Sequence, residues 1–282
     1  MTSKVIAARP GPASIGAMNN AATSAASSPN IASPLAALRA QRRISQLELS
    51  LRVGVSQRHL SCIETGRSRA SREMLIAVLD ALEAPLDERN KVLLAAGYAP
   101  AYRETSLDDP EMAPVRAALT HLLEAHDPAP ALVIDGAWNL LMANKGLRGL
   151  MRLLGVDPAL LEHDFNLLRA CLQPGGLRHL CANEDEVCAA LWQRASSEAQ
   201  HVPALRPLLE ELRPHVPRLI APAPVTPLMH TRLRSSAGEL ALFSAFTTFG
   251  TPLDVTVASL RVEHFFPADA ATRAALMRAA SD

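Results

Sequence analysis

The segment Ser45-Gln-Leu-Glu-Leu-Ser-Leu-Arg-Val-Gly-Val-Ser-Gln-Arg-His-Leu-Ser-Cys-Ile-Glu-Thr-Gly-Arg67 constrains this chain more than any other. Ser45 suits a helix N-cap, and Glu48 stands three residues on, at capping-box spacing. Gly54 ends that helix, because a left-handed turn strains any residue that carries a Cβ. Ser56 caps a second helix at once. Two helices joined so tightly cross steeply and must approach closely. Leu49, Val55, Leu60 and Ile63 fall where the two meet, and Ser50 is small where bulk would hold them apart. Gln57, Arg58, Ser61 and Cys62 are left facing outward on the second helix, near its N-terminus.

The flanking sequence continues the helical pattern from Pro34 to Leu94. Pro34 opens a helix with Leu35 and Leu38. Ser71 caps one that carries Leu75, Val78, Leu79 and Leu82, and Asp87 is expected to cap a last one through Leu93 and Leu94. Five short helices make an all-α unit over 34–96. The chain is neutral as a whole, with 28 basic and 28 acidic residues. Residues 35–72 nevertheless hold eight arginines against Glu48 and Glu64, a net charge of +6, which with Lys4 and Arg9 of the first segment leaves −8 on 73–282. A basic block of this kind suits a polyanion. Gln and Arg can pair with adenine and guanine edges in the major groove. Gln46 and Ser56 stand at helix N-termini, which favour phosphate. Thr65, Arg67 and Arg69 follow the second helix and can meet backbone charge. The expected partner is double-stranded DNA, contacted through Gln46, Ser56, Gln57, Arg58, Ser61, Cys62, Thr65, Arg67 and Arg69. The alternative is a helical hairpin that binds a protein.

Residues 1–33 are rich in Ala, Ser, Asn and Pro, lack acids and show no apolar period, so they are expected to be a disordered tail. No secretory h-region is expected there, and the compartment expected is the cytoplasm. Residues 97–113, with Pro100 and Pro110, read as a linker. From 114 onward the signals mix. Residues 114–127 look helical. Ala131–Asp135 and Trp138–Ala143 read as a hairpin over Asp135-Gly136. Helices are expected over 145–154, 158–171, 183–200 and 203–213. A loop with five prolines spans 214–227. Strands are expected over Leu228–Arg234, Leu240–Phe249 and Asp254–Glu263, and a helix over 268–280. The fold class is therefore α+β, with a second domain over 114–282. Phe243 and Phe246 lie on opposite faces of their strand.

Nothing in the chain matches a catalytic or phosphate-loop pattern, so neither an enzyme nor a cofactor is expected. Asp254, His230 and Ser244 could be written as a triad, but nothing orders them. Cys181 and Cys188 are placed seven apart on one helix face and read as packing cysteines rather than zinc ligands. Asn144, Asn166 and Arg169 border apolar segments. They read either as caps and buried hydrogen-bond partners or as the mouth of a ligand pocket. No run of apolar residues is long enough to cross a membrane.

The 45–67 tract resembles the XRE/Cro-like helix-turn-helix family almost residue for residue. The resemblance continues in Ala96-Gly-Tyr-Ala-Pro100, in the paired strands around Trp138 and Asn144, and in Asn166-Leu-Leu-Arg169. It continues again in Pro174-Gly-Gly-Leu177, Phe249-Gly-Thr-Pro-Leu-Asp-Val-Thr256 and Phe265-Phe-Pro-Ala-Asp269. These look like regulators carrying an MmyB-like ligand-binding domain. The likeness implies a transcriptional regulator whose C-terminal domain is PAS-like, an antiparallel sheet with helices around an apolar cavity. It implies a small lipophilic ligand, with fatty acyl chains leading, and Asn144, Asn166, Arg169, Phe243 and Phe246 are its candidate contacts. A homodimer is expected, since one such unit spans few base pairs. The alternative for the C-terminal domain is a protein-interaction or dimerisation module without a small-molecule ligand.

Overall fold

The computed structural model describes residues 32–162, 164–216, 228 and 230–280. Almost all of the expected tail lies outside these, and so does most of the proline-rich loop. Five helices come first: α1 Ala32–Gln41, α2 Gln46–Val53, α3 Gln57–Glu64, α4 Arg72–Ala81 and α5 Leu86–Ala95. Their starts follow the local chemistry. The hydroxyls of Ser45, Ser56 and Ser71 accept from the amides of Glu48, His59 and Met74 at 3.0, 3.1 and 3.2 Å. Gly54 sits at φ 74° and closes α2. Asp87 is not the last cap. Pro85 holds that place without a side-chain bond, and Asp87 is already inside the first turn, paired with Lys91 at 2.7 Å. The helices enclose Leu35, Leu49, Leu60, Ile63, Leu75, Val78, Leu79 and Leu93, all fully buried. Each such side chain contributes about 1.5–3 kcal/mol relative to exposure.

The stretch expected to be a linker is held at both ends. Asn90 of α5 accepts from the amides of Ala101 and Tyr102, each at 3.0 Å, and donates to the Tyr102 carbonyl at 2.7 Å. Arg103 then forms a parallel bridge with Asp254, and the Val255 amide donates to the Arg103 carbonyl at 2.8 Å.

After α6, Ala113–His126, the chain builds an antiparallel sheet from β1 Ala131–Ile134, β2 Leu140–Ala143, β3 Thr231–Ser235, β4 Gly238–Thr247 and β5 Arg261–Pro267. The strand order is β2-β1-β5-β4-β3. Between β2 and β3 run α7 Lys145–Leu153, α8 Leu167–Leu172, α9 Glu184–Glu198 and α10 Leu205–Leu212. A short α11, Val255–Ser259, precedes β5, and α12, Ala270–Ala279, ends the fold. One sheet face carries Leu132, Ile134, Leu240 and Leu242 into the core formed with α7–α10 and α12. The other turns Ala131, Val133 and Val262 towards Leu119 and Leu123 of α6.

Three expected elements differ. Asp254–Glu263 is not a strand. The Asp254 carboxylate accepts from the Thr256 amide at 2.8 Å, and that cap starts α11 despite the β-preference of Val and Thr, so the strand begins only at Arg261. The helix expected over 158–171 is a 3-10 turn, Pro158–Glu162, followed by α8, because Asn166 caps a new start. The second strand begins at Leu140, because Trp138 has φ 67°, outside strand geometry.

Candidate functional site

In the helical unit, the groups that fix α2 against α3 come from three helices. Glu64 at the end of α3 is buried, and the Arg39 guanidinium of α1 grips it with two bonds, Nε to Oε1 at 2.6 Å and Nη2 to Oε2 at 2.9 Å. Gln46 of α2 donates to the same carboxylate at 2.8 Å. Burial opposes ionisation of Glu64, but the bonds from Arg39 and Gln46 outweigh it and hold the carboxyl below its ordinary range. Ser50 is buried with its hydroxyl on the Leu47 carbonyl at 2.7 Å, and this lets the two helices close. The inner faces are thereby locked, and the outer face is left free. Gln57, Arg58, Thr65, Arg67 and Arg69 are exposed, while Ser61 and Cys62 are half-buried beside them. Thr65 ties its hydroxyl to the Ser61 carbonyl at 2.7 Å, and Ser56 is committed as the α3 cap. Arg69 lies over the Tyr98 ring, 5.5 Å from its centre. Gln46, expected at phosphate, has one amide hydrogen committed to Glu64. Sequence reasoning missed the Arg39–Glu64 pair because its members are 25 residues apart.

In the sheet unit the two candidate asparagines act as caps. Asn144 is buried. It accepts from the Ala131 and Leu147 amides at 2.9 Å each, and donates to the Ala129 carbonyl at 2.8 Å and the Leu123 carbonyl at 3.3 Å. Asn166 accepts from the Arg169 amide at 3.0 Å and donates to the Ala137 carbonyl and the Asn139 side chain, each at 2.9 Å. Arg169 forms a two-point pair with Glu211 at 3.0 and 2.7 Å. Asn144 and Asn166 thus stand as caps, while Arg169 is a part-exposed member of an ion pair. Asn144 accepts two bonds and donates two, so its side-chain amide is fully engaged, whereas the Asn166 oxygen accepts one. Phe243 stacks on Phe266 at 5.2 Å on the α6 side of the sheet. Phe246 alternates to the opposite, core-facing side, where the Arg194 guanidinium lies 3.7 Å over its ring. Arg194 also covers Trp138, at 4.7 Å, and the Trp138 indole donates to Glu198 at 2.8 Å. This cluster was not legible as a site.

The cysteines do not share a helix face: Cys181 precedes α9, and Cys188 lies inside it. Both are buried, and burial pushes the Cys181 thiol up to about 11 and the Cys188 thiol upward as well. Asp254, written above as a possible triad member, caps α11. Among the described residues no helix is long and apolar enough to cross a membrane.

Two family models match this chain. A helix-turn-helix model covers residues 35–89, and the model of the MmyB-like transcription regulator ligand binding domain covers 115–279. No curated protein matches. Among solved structures the chain is similar to one described as "Structure of an RNA-binding Light-Oxygen-Voltage Receptor", at 14% identity and a TM-score of 0.23. That match covers 91% of this chain and 64% of the other, and a TM-score so low carries no argument. The locked α2–α3 pair with its exposed polar face and the helix-backed antiparallel sheet are thus the two parts of a DNA-binding transcription regulator, and the chain belongs to the family with an MmyB-like ligand-binding domain.

Proposed function

We propose that this regulator binds operator DNA as a homodimer through 34–96, and that 114–282 is a PAS-like sensor of a small lipophilic molecule, a fatty acyl compound above others. Residues 97–113 join the two, and the protein works in the cytoplasm on the cell's DNA. The observation that carries the DNA reading is the exposed pair Gln57 and Arg58 in the first turn of a helix whose inner face is locked by Arg39, Glu64 and Gln46. α3 enters the major groove with this pair on base edges. Arg67 and Arg69 lie outside the helix, where they meet phosphate. Arg58→Ala is expected to weaken operator binding by about 1–3 kcal/mol and to flatten the preference between bases. Arg69→Ala is expected to weaken all sequences alike and to reduce the salt slope by about one unit. Binding titrations on operator and scrambled duplexes at several salt concentrations separate the two. Equal, sequence-independent losses in both variants would show that α3 does not read bases.

The sensor reading is supported by the match of 115–279 to a ligand-binding domain model and by an antiparallel sheet whose apolar face is turned to α7–α10. Asn144, fully engaged within the protein, is set aside as a ligand contact, while Asn166 and Arg169 stay in the set. Phe246 stays in it, on the core-facing side. Phe243→Ala is expected to lower stability with little effect on ligand affinity, and Phe246→Ala to do the reverse. A fatty-acid series should gain affinity with chain length, at about 0.8 kcal/mol per buried methylene, until the site is full. Calorimetry and operator binding run in parallel check this. Binding that leaves operator affinity unchanged would favour the protein-interaction module instead.

A further inference from the structure

The C-terminal end of β5 borders a cleft of about 320 Å³, which opens between α12 and the short stretch 128–129 that joins α6 to β1. Its walls include Pro128, Phe266, Pro267, Leu276 and Met277, and the one charged residue lining it is Arg273. The walls offer flat or pliable apolar surface. Neither proline has an N–H to donate. Phe266 has Phe243 stacked on it at 5.2 Å and the His126 ring against it edge-on at 4.8 Å, and these neighbours hold the ring in place. Leu276 is anchored in the core, and Met277 brings a thioether, which makes favourable contacts with aromatic rings. Arg273 stands four residues before Met277 on α12, so the two side chains leave the helix on one face. Its guanidinium is exposed, and among the described residues it has no ion pair and no side-chain hydrogen bond. Arg169, Arg178, Arg194 and Arg261 of the same unit all pair with carboxylates. An unpaired cation thus stands at the rim of an apolar, ring-walled cleft.

We propose that this cleft binds a small aromatic carboxylate, its ring lying against Phe266 and the two prolines and its carboxylate accepting from the Arg273 guanidinium. The planar fork of arginine matches the two oxygens of a carboxylate. A planar ring gains offset or edge contacts with Phe266 that a flexible chain does not. The volume is at the lower end for small-molecule sites, which suits a compact body. A cation is a poor occupant, because Arg273 is the only charge lining the cleft. The place is distinct from the core-facing contact Phe246. That residue is in register with the buried Glu263, and Pro267 lies four residues and about 13 Å further along β5. The cleft therefore stands whether or not the core-facing side takes a ligand.

The test uses the full chain with 2-naphthoate, its uncharged counterpart 2-naphthamide, and dodecanoate as a chain-shaped anion. Calorimetry at low salt should show 2-naphthoate binding about fivefold tighter than the amide, the upper range for an exposed ion pair. That advantage should shrink as salt rises, because the cation is open to screening. Arg273→Gln should bring the naphthoate-to-naphthamide ratio near one. It should leave the Tm unchanged, since the side chain it replaces is exposed and unpaired. Phe246→Ala should leave 2-naphthoate affinity as it is. An unchanged naphthoate-to-naphthamide ratio in Arg273→Gln overturns the assignment. So does loss of 2-naphthoate binding in Phe246→Ala, which would put the compound on the core-facing side. Tighter binding of dodecanoate that falls with Arg273→Gln would also overturn it, by making the occupant a chain rather than a ring. Failure of the wild type to bind 2-naphthoate at millimolar concentration overturns it outright and leaves the sensor reading untouched.

Discussion

Arg39→Ala is expected to destabilise the helical unit by about 3–5 kcal/mol, the cost of leaving a buried carboxylate without its cation. The Glu64 side chain is 3% exposed and Arg39 18%, so water cannot substitute for the lost guanidinium. A unit of this size holds only about 3–9 kcal/mol in total, at about 0.05–0.15 kcal/mol per residue, so the variant should be largely or partly unfolded. Operator binding should fall with it even though Arg39 lies on no DNA-facing surface. The double variant Arg39→Met with Glu64→Leu should recover much of the loss, because no buried charge is left without its partner, although the half-buried Gln46 amide and the Ile44 carbonyl lose theirs. The same pair sets an acid limit. The folded Glu64 carboxyl is held below its unfolded value, so its stabilising effect is complete above the ordinary glutamate range. That effect disappears as pH falls through the lowered folded value. Urea melts followed by circular dichroism measure all three. A loss under 1 kcal/mol in the single variant would show that the clamp is not what locks α2 to α3.

Trp138→Ala should be the matching lesion in the sheet unit, at about 3–5 kcal/mol. The indole is fully buried, and its N–H is one of the bonds that satisfy Glu198. Truncation opens a void beneath Arg194 and removes that donor together. Trp138→Phe retains most of the ring and loses the bond, and should cost about 1–3 kcal/mol. Scanning calorimetry should show the transition of the sheet unit falling by several degrees. A short duplex carrying one half-site should still bind, because its contacts lie in the other unit. Loss of that binding as well would show that the helical unit depends on the sheet unit for its fold.

Local chemistry made the helical unit legible. Ser45, Ser56 and Ser71 act on amides three residues away, and Gly54 acts on its own φ, so each can be read without knowing the rest of the chain. The Arg39–Glu64 clamp joins side chains from two helices and could not be read in this way. In the sheet unit, the alternation of Val262, Glu263 and His264 was available, but an interior carboxyl looks like an exposed one until the partner strands are known. The Asp254-Val-Thr256 cap was a readable signal that the β-preference of the neighbouring residues masked. Trp138 departed from its expected strand through a left-handed backbone that its residue type does not favour.

The hydrogen bonds of residues 101–103 carry a mechanical consequence. On one side they are anchored to Asn90, and on the other to Asp254 and Val255, some 150 residues further along the chain. A flexible tether would let each unit reorient with an entropy that grows with its length. These bonds oppose that freedom, so the connection is expected to act as a stiff coupling rod with little slack. A displacement of α11 should then reach α5, and inserting glycines between Tyr102 and Arg103 should turn the rod back into a tether.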